Sequence, residues 1–386
     1  MLVYFYLPEN NDVYFDAPLV LAEGLKALGV DFAANRDYWR QTPDSKETLF
    51  KKRPGLSHHD ADVVIIHDDW FFHYPQSTLK IRHRPAPPEL FVPQRRYQLF
   101  YLDTWVGART NSWEPEFRHC DLILRTQYNR RCSYPSNVKP WVLGFTERIL
   151  QATSKQPAFQ ERRRVLLENF AYTHHFEHGV RAEFSRKISP MLNSVLPVEQ
   201  FRSTPDPEEM SAFDRLMWQQ SVDKHNPDYF AALTSSAAVA CFCGYLCPWW
   251  PADASVHFRG AKRHQALAAF GRGLAGLLPR PPRLIQWDSW RFWETLCAGS
   301  AAFHLDLEQY GVELPVMPEN WKHYIGVNLE NVDRDVRRIS ESPALLEDVA
   351  SQGRQWAMEN YSPKKVAERL LRNLRIEDRG LRTFSR

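Results

Sequence analysis

The segment richest in chemical possibility is Gln286-Trp287-Asp288-Ser289-Trp290-Arg291-Phe292-Trp293-Glu294-Thr295-Leu296-Cys297-Ala298-Gly299-Ser300. Asp288 or Ser289 is placed to cap a helix over 290–298, whose first turn leaves backbone N–H groups free to meet phosphate oxygens. Arg291 and Glu294 are three apart and share a face of that helix. A carboxylate near the helix start can accept hydrogen bonds from both vicinal hydroxyls of a ribose, and Gly299 closes the helix. A second set of residues lies nearer the N-terminus. Asp16 follows the first apolar run, His67-Asp68-Asp69 follow the third, and Asp103 ends Phe100-Tyr101-Leu102. A carboxylate or imidazole at the carboxyl end of a strand can take the proton of an attacking hydroxyl, although aspartates there also serve as plain helix caps.

Other patterns carry less. Gly271-Arg272-Gly273-Leu274-Ala275-Gly276 has the spacing of a dinucleotide loop, but an Ala-rich helical stretch precedes it and Pro279-Arg280-Pro281-Pro282 follows. That loop needs a strand before it and a helix after it. His174 and His178 have zincin-like spacing, but no Glu follows His174. Cys241, Cys243 and Cys247 sit in a strand-like run and read as structural thiols. No Asp-x-Asp falls between strand ends, so no metal is expected.

The elements that must hold these residues alternate. Leu2–Leu7, Val30–Ala34, Asp62–His67, Tyr97–Leu102, Cys120–Leu124 and Val138–Leu143 are apolar strand runs, with an amphipathic helix over Ala17–Leu28 ended by Gly29. Gln151–Glu161 is polar, contains Pro157 and reads as a linker. The pattern then restarts with strands at Arg164–Glu168, Val195–Phe201, Ala237–Cys243, Leu284–Gln286 and Ser300–Leu305. Helices are expected at 179–192, 228–235, 290–298, 333–339, 343–360 and 363–374, with a frayed tail after Ile376. Alternating strands and helices imply parallel sheets covered on both faces. The expected fold is α/β, with two facing Rossmann-like doubly wound domains and a cleft between them.

Composition bounds the rest. With 386 residues, 44% hydrophobic and 25% charged, the chain is long enough for two or three domains and is not broadly disordered. A net charge of +3 shows no concentrated basic stripe, so a nucleic-acid partner is not expected. The uncharged run from Tyr229 to Ala252 contains Thr234-Ser235-Ser236, Gly244, Pro248 and Pro251, and reads as helix then buried strand rather than a membrane span. No signal peptide is read at Met1–Leu7, and few cysteines fit a reducing cytoplasm, with or without peripheral attachment to a membrane.

Arg291-x-x-Glu294 with Ala298-Gly299, then a strand and an acidic loop, resembles the donor-binding segment of GT-B glycosyltransferases. Leu314-Pro315, Glu319-Asn320, Gly353-Arg354, Tyr361-Ser362-Pro363 and Val366-Ala367 resemble the rest of that family's C-terminal half, so the likeness covers 164–375. It implies a nucleotide-sugar donor and a glycan or other glycoconjugate acceptor, a metal-independent hexosyl-type transfer, and an acceptor-side domain at 1–157. The donor domain would span 158–360, and the segment 361–386 would cross back to the first domain. Donor contacts are expected from Glu294, Arg291, Ser289, Asp288 and Trp290, with cationic help from Arg181, Arg259 and Lys262. The acceptor base would be Asp103, Asp69 or Asp16. Many retaining members carry a second Glu where this chain has Gln286, which leaves the stereochemical outcome open. A nucleotide-sugar epimerase and a catalytically silent binding protein on the same scaffold are the rival readings.

Overall fold

The computed structural model describes residues 1–8, 14, 16–70, 72–73, 82–83, 88–105, 115–170, 179–248 and 282–374. Six parallel strands form the first sheet: β1 (Leu2–Tyr6), β2 (Asp31–Ala34), β3 (Val63–His67), β4 (Gln98–Asp103), β5 (Leu122–Arg125) and β6 (Val138–Pro140). Their spatial order is β6-β5-β4-β3-β1-β2, with Val3 opposite both Phe32 and Val63. Five more parallel strands form the second sheet: β7 (Arg163–Glu168), β8 (Val198–Gln200), β9 (Ser236–Ala240), β10 (Ala301–Leu305) and β11 (Ile325–Val327), ordered β8-β7-β9-β10-β11. Strands such as Val63-Val64-Ile65-Ile66-His67 are buried along their whole length, as a parallel sheet covered on both faces demands. Two Rossmann-like domains result. In each, strand order reverses beside the first strand, between β1 and β3 and between β7 and β9, and ligands bind beyond the carboxyl ends of strands at such a switch point.

The helices that matter here are α1 (Asp16–Ala27), α2 (Pro227–Ser235), α3 (Trp290–Cys297), α4 (Leu345–Tyr361) and α5 (Pro363–Arg372). Glycine ends α1 and α3 as expected. Gly29 and Gly299 have φ of 68° and 62°, and the next N–H reaches back to Leu25 O (3.0 Å) and Thr295 O (3.2 Å). The final helix α5 buries Pro363, Val366, Ala367 and Leu370, one helical face, and packs on α1 of the first sheet's domain. The helices touch so closely at Gly24 that a β-carbon there would lie 2.0 Å from the Pro363 carbonyl oxygen.

Several elements differ from the sequence expectation. The helix over 179–192 forms, but with a π-turn at Phe184–Ile188. The strand expected to reach Cys243 ends at Ala240, with the Cys241 N–H still bonded to Phe303 O at 2.8 Å, and Gly244 (φ 84°) then turns the chain against the Ile285 carbonyl. Arg283–Ile285 is not a member of the second sheet but pairs antiparallel with Tyr245–Cys247. A hairpin at Tyr38–Arg40 and Thr48–Phe50, the helix Ala212–Gln220 and strand β11 were not read from the sequence. Among the described residues, no helix is long and apolar enough to cross a membrane.

Candidate functional site

The second domain's switch point is built on aromatic and cationic groups. Phe170 lies two residues past β7, and both Arg181 and Arg291 set their guanidinium carbons over its ring, at 5.1 and 5.6 Å. Arg181 is held there by the Phe242 carbonyl, which accepts from its Nε at 3.2 Å, in the loop that follows β9. Lys224 adds a third positive charge, its Nζ 5.9 Å from the Trp290 ring centre. Two guanidinium groups beside the N-terminus of α3 form an anion-binding arrangement.

The turn that leads into α3 is rich in unmet polar groups. Gln286 Oε1, Trp287 Nε1, Ser289 Oγ, Trp290 Nε1 and Arg291 Nε are all buried without a hydrogen-bond partner. Gln286 also holds φ of 59°, a left-handed backbone that costs a non-glycine residue. A buried polar atom left unpaired costs about 1–3 kcal/mol, so five within six residues make this turn costly unless ordered water or a polar ligand meets them.

Glu294 departs from its expected setting. It is 5% exposed rather than open on a rim, and it accepts a hydrogen bond from Tyr229 Oη of α2 at 3.2 Å. Burial pushes its carboxyl up to about 7, with Arg291 pulling the other way. Asp288 departs further. Its carboxylate accepts from the Leu143 N–H (2.7 Å) and Trp293 Nε1 (2.6 Å), and its backbone pairs with the Gln127 side-chain amide through two 3.1 Å bonds. Asp288 therefore ties the start of α3 to the first domain and does not present a free carboxylate to a donor. Ser289 occupies the cap position of α3 but makes no side-chain cap bond, so neither residue caps the helix as expected. Arg259 and Lys262 lie outside the described residues, as do His174, His178 and the glycine-rich 271–276 segment.

The first domain's switch point is acidic. His67 ends β3, and its Nδ1 lies 3.1 Å from Asp68 Oδ1 and 3.5 Å from Asp69 Oδ2. Thr104, just past β4, donates to Asp68 Oδ1 at 2.8 Å and sits 3.1 Å from His67 Nε2. Burial raises the carboxyls of Asp68 to about 8 and Asp69 to about 7. Across the switch point, Asp16 begins α1, its Oδ1 accepting from the Ala17 N–H at 2.8 Å, while its Oδ2 is buried without a partner. Burial holds this carboxyl well above the usual range, and the charges of Asp288 and Asp69 push the same way. Asp103 is set apart from the other two candidates: it is fully buried and ion-paired with Arg125 at 2.9 Å, which removes it as an acceptor base.

The two switch points face each other. Tyr14, beside Asp16, meets the Trp290 ring edge-on with centroids 5.5 Å apart, and meets His225 at 5.0 Å. Asp16 and Asp69 are thus brought toward the start of α3, where Ser289, Trp290 and Arg291 stand. Tyr229, Phe170, Lys224 and Thr104 escaped the sequence reading. Phe170 and Thr104 were detectable as the residues just beyond two buried strands. Tyr229 and Lys224 gave no local signal, since only tertiary packing brings them to α3. The six cysteines are all free thiols, and burial holds the Cys241 thiol up at about 12, so it stays protonated.

No family model matches the chain, and no curated protein matches its sequence. Solved structures do. An alpha-glucosyltransferase in complex with UDP is similar over 96% of this chain and 99% of that one, with TM-score 0.51 and 9% identity. An alpha-glucosyltransferase in complex with UDP-glucose and DNA containing an abasic site gives TM-score 0.52 and 10% identity over 96% of this chain and 98% of that one. At such identity the likeness is one of fold, and the fold is the two-domain GT-B architecture of glycosyltransferases.

Proposed function

We propose that this chain is a glycosyltransferase that moves a sugar from a nucleotide-sugar donor to an acceptor hydroxyl. The observation that carries the reading is the run of buried, unpartnered polar atoms from Gln286 to Arg291, set between two guanidinium groups at the mouth of the second domain. Arg181, Arg291 and the first N–H groups of α3 would neutralise the donor diphosphate, doing with dipole and side chains what a metal does elsewhere. Ser289 Oγ and Trp290 Nε1 would supply directional hydrogen bonds to the donor. Glu294, kept in place by Tyr229, would accept from the ribose hydroxyls.

The acceptor would enter from the first domain, where Asp69 and Asp16 are the carboxylates able to take its proton. The proposed division is 1–157 for the acceptor side, 158–360 for the donor side and 361–386 for the segment that returns to the first domain. Packing of α5 on α1 supports that return path and would keep the domains in register as the cleft excludes water.

The test is thermal unfolding against a panel of nucleotide sugars, UDP-sugars first, because the structural neighbours carry UDP and UDP-glucose. A true donor at a hundredfold excess over its dissociation constant stabilises by about 2.7 kcal/mol. Label transfer is then followed to glycans, lipid-linked acceptors and DNA containing a HMU base, which one similar structure holds. If the panel leaves the unfolding temperature unmoved, the reading fails.

A further inference from the structure

The turn at 221–225 joins the helix Ala212–Gln220 to α2 and carries two adjacent left-handed residues, Val222 (φ 52°) and Asp223 (φ 61°). Neither position has the glycine that would relieve it, and a β-branched valine in this region is a true outlier. Such strain persists only where the surroundings over-determine the backbone. Here they do. The Asp223 N–H donates to Trp218 O (3.0 Å), the Lys224 N–H to Ser221 O (3.2 Å) and the His225 N–H to Ser221 Oγ (2.9 Å). The first domain clamps the other side. The Gln220 side-chain amide accepts from the Arg40 N–H at 2.6 Å and donates to the Arg40 carbonyl at 3.1 Å. Trp39, itself left-handed (φ 66°), meets the His225 ring edge-on at 6.1 Å.

This turn delivers Lys224 to the start of α3. The side chain is exposed, and its Nζ lies 5.9 Å from the Trp290 ring centre. Among the described residues, no ion pair or side-chain hydrogen bond holds that ammonium. Beneath it, Trp290 Nε1 and the neighbouring Ser289 Oγ are buried without partners. Burial raises the Glu294 carboxyl, and the Lys224 charge is among those that oppose it. Trp290 and Glu294 are four apart and share a face of α3, so the ammonium stands along that face. The cations are thereby divided. Arg181 and Arg291 share the Phe170 ring within the second domain. Lys224 sits on Trp290, the ring that also meets Tyr14 of the first domain at 5.5 Å.

We propose that Lys224 binds the distal phosphate of the donor's diphosphate, an assignment that rests on the transferase reading. In a nucleotide sugar the distal phosphate carries the sugar, and the sugar must face the acceptor. The cation nearest the first domain is therefore the one that meets this phosphate, while Arg181 and Arg291 take the phosphate joined to the nucleoside. A lysine suits the place as a compact point charge with three rotatable donors, and the indole face supports it. Because Arg40 holds Gln220 beside the turn, the acceptor-side domain sets the position of a donor contact.

Calorimetric titration of UDP and of UMP into the full chain compares wild type with Lys224→Met, which keeps an unbranched stem over Trp290 and removes the charge. UDP affinity is expected to fall about 10–100-fold, the worth of one charge-assisted hydrogen bond, with UMP affinity unchanged. Lys224→Ala should match Lys224→Met. Wild type that binds UDP while Lys224→Met binds it equally well overturns the assignment. So does an equal loss for UMP and UDP, or a loss confined to Lys224→Ala, which would mark packing on Trp290 instead of charge. A wild type that binds no nucleotide or nucleotide sugar at all fails the transferase reading, and this assignment with it, a result distinct from the others.

Discussion

The two domains solve the same topological problem with opposite chemistry. Both reverse strand order beside their first strand, and both gather side chains beyond the carboxyl ends of strands there. In the first domain these are Asp16, His67, Asp68 and Asp69, three carboxyls and an imidazole of which all but Asp69 are buried. In the second they are Phe170, Arg181 and, from α3, Arg291, two guanidinium groups set over one aromatic ring. The topology fixes where a ligand sits, and the loop residues fix which one. Under the proposed function, a negative donor and a hydroxyl awaiting deprotonation would be sorted to opposite walls of one cleft.

That contrast can be broken by variants that act on one wall alone. The largest effect is expected from Asp69→Asn, which should lower kcat by about 10²–10⁴-fold, the usual worth of general-base assistance, with donor affinity unchanged. Steady-state kinetics beside calorimetry separates the two readouts.

Next comes a pH effect confined to the second wall. Burial raises the Glu294 carboxyl to about 7, from about 4.3 in the unfolded chain. The folded state therefore keeps its proton longer than the unfolded state, and stability is lost as pH rises from about 4 to about 7. Glu294→Gln cannot lose that proton, so relative to wild type it should gain about 3 kcal/mol across this window. Denaturant unfolding at several pH values reads the difference, and a gap that does not vary with pH would show that Glu294 is solvated.

Gly24→Ala sharpens the contrast by loosening the joint between the walls. Its new methyl meets the Pro363 carbonyl, and overpacking of this kind costs about 1–3 kcal/mol. Urea unfolding should show the loss, and kinetics should show both substrates bound less productively. The smallest effect is expected from Arg53→Ala. The Arg53–Asp31 pair is exposed, lies at the start of β2 and so at the far end from the cleft. Exposed pairs contribute about 0.2–1 kcal/mol, and activity should not change.

Much of the scaffold was legible because parallel strands buried on both faces write themselves as unbroken apolar runs, as Asp62–His67 and Ala237–Ala240 do. Helix ends were legible at Gly29 and Gly299, where only a left-handed residue lets the chain turn. The segment 286–294 stood out for the same reason: its polar groups fall where a helix begins. Three things did not show. Short edge elements such as Ile325–Val327 carry too few residues for a period to register. The turn after the strand packs Gly244 against the Ile285 carbonyl, a contact between distant segments. The fates of Asp103, Asp288 and Glu294 were decided by Arg125, Leu143 and Tyr229, partners that sequence proximity does not announce.

Calorimetric titration of UDP into wild type, Arg291→Ala and Asp69→Asn tests the division of labour most directly. Saturable binding to wild type, weakened by about 10–100-fold in Arg291→Ala and unchanged in Asp69→Asn, is the predicted pattern, given about 1.5–3 kcal/mol for a charge-assisted hydrogen bond. Equal affinity in Arg291→Ala and wild type, or a loss confined to Asp69→Asn, would place the nucleotide on the other wall and contradict it.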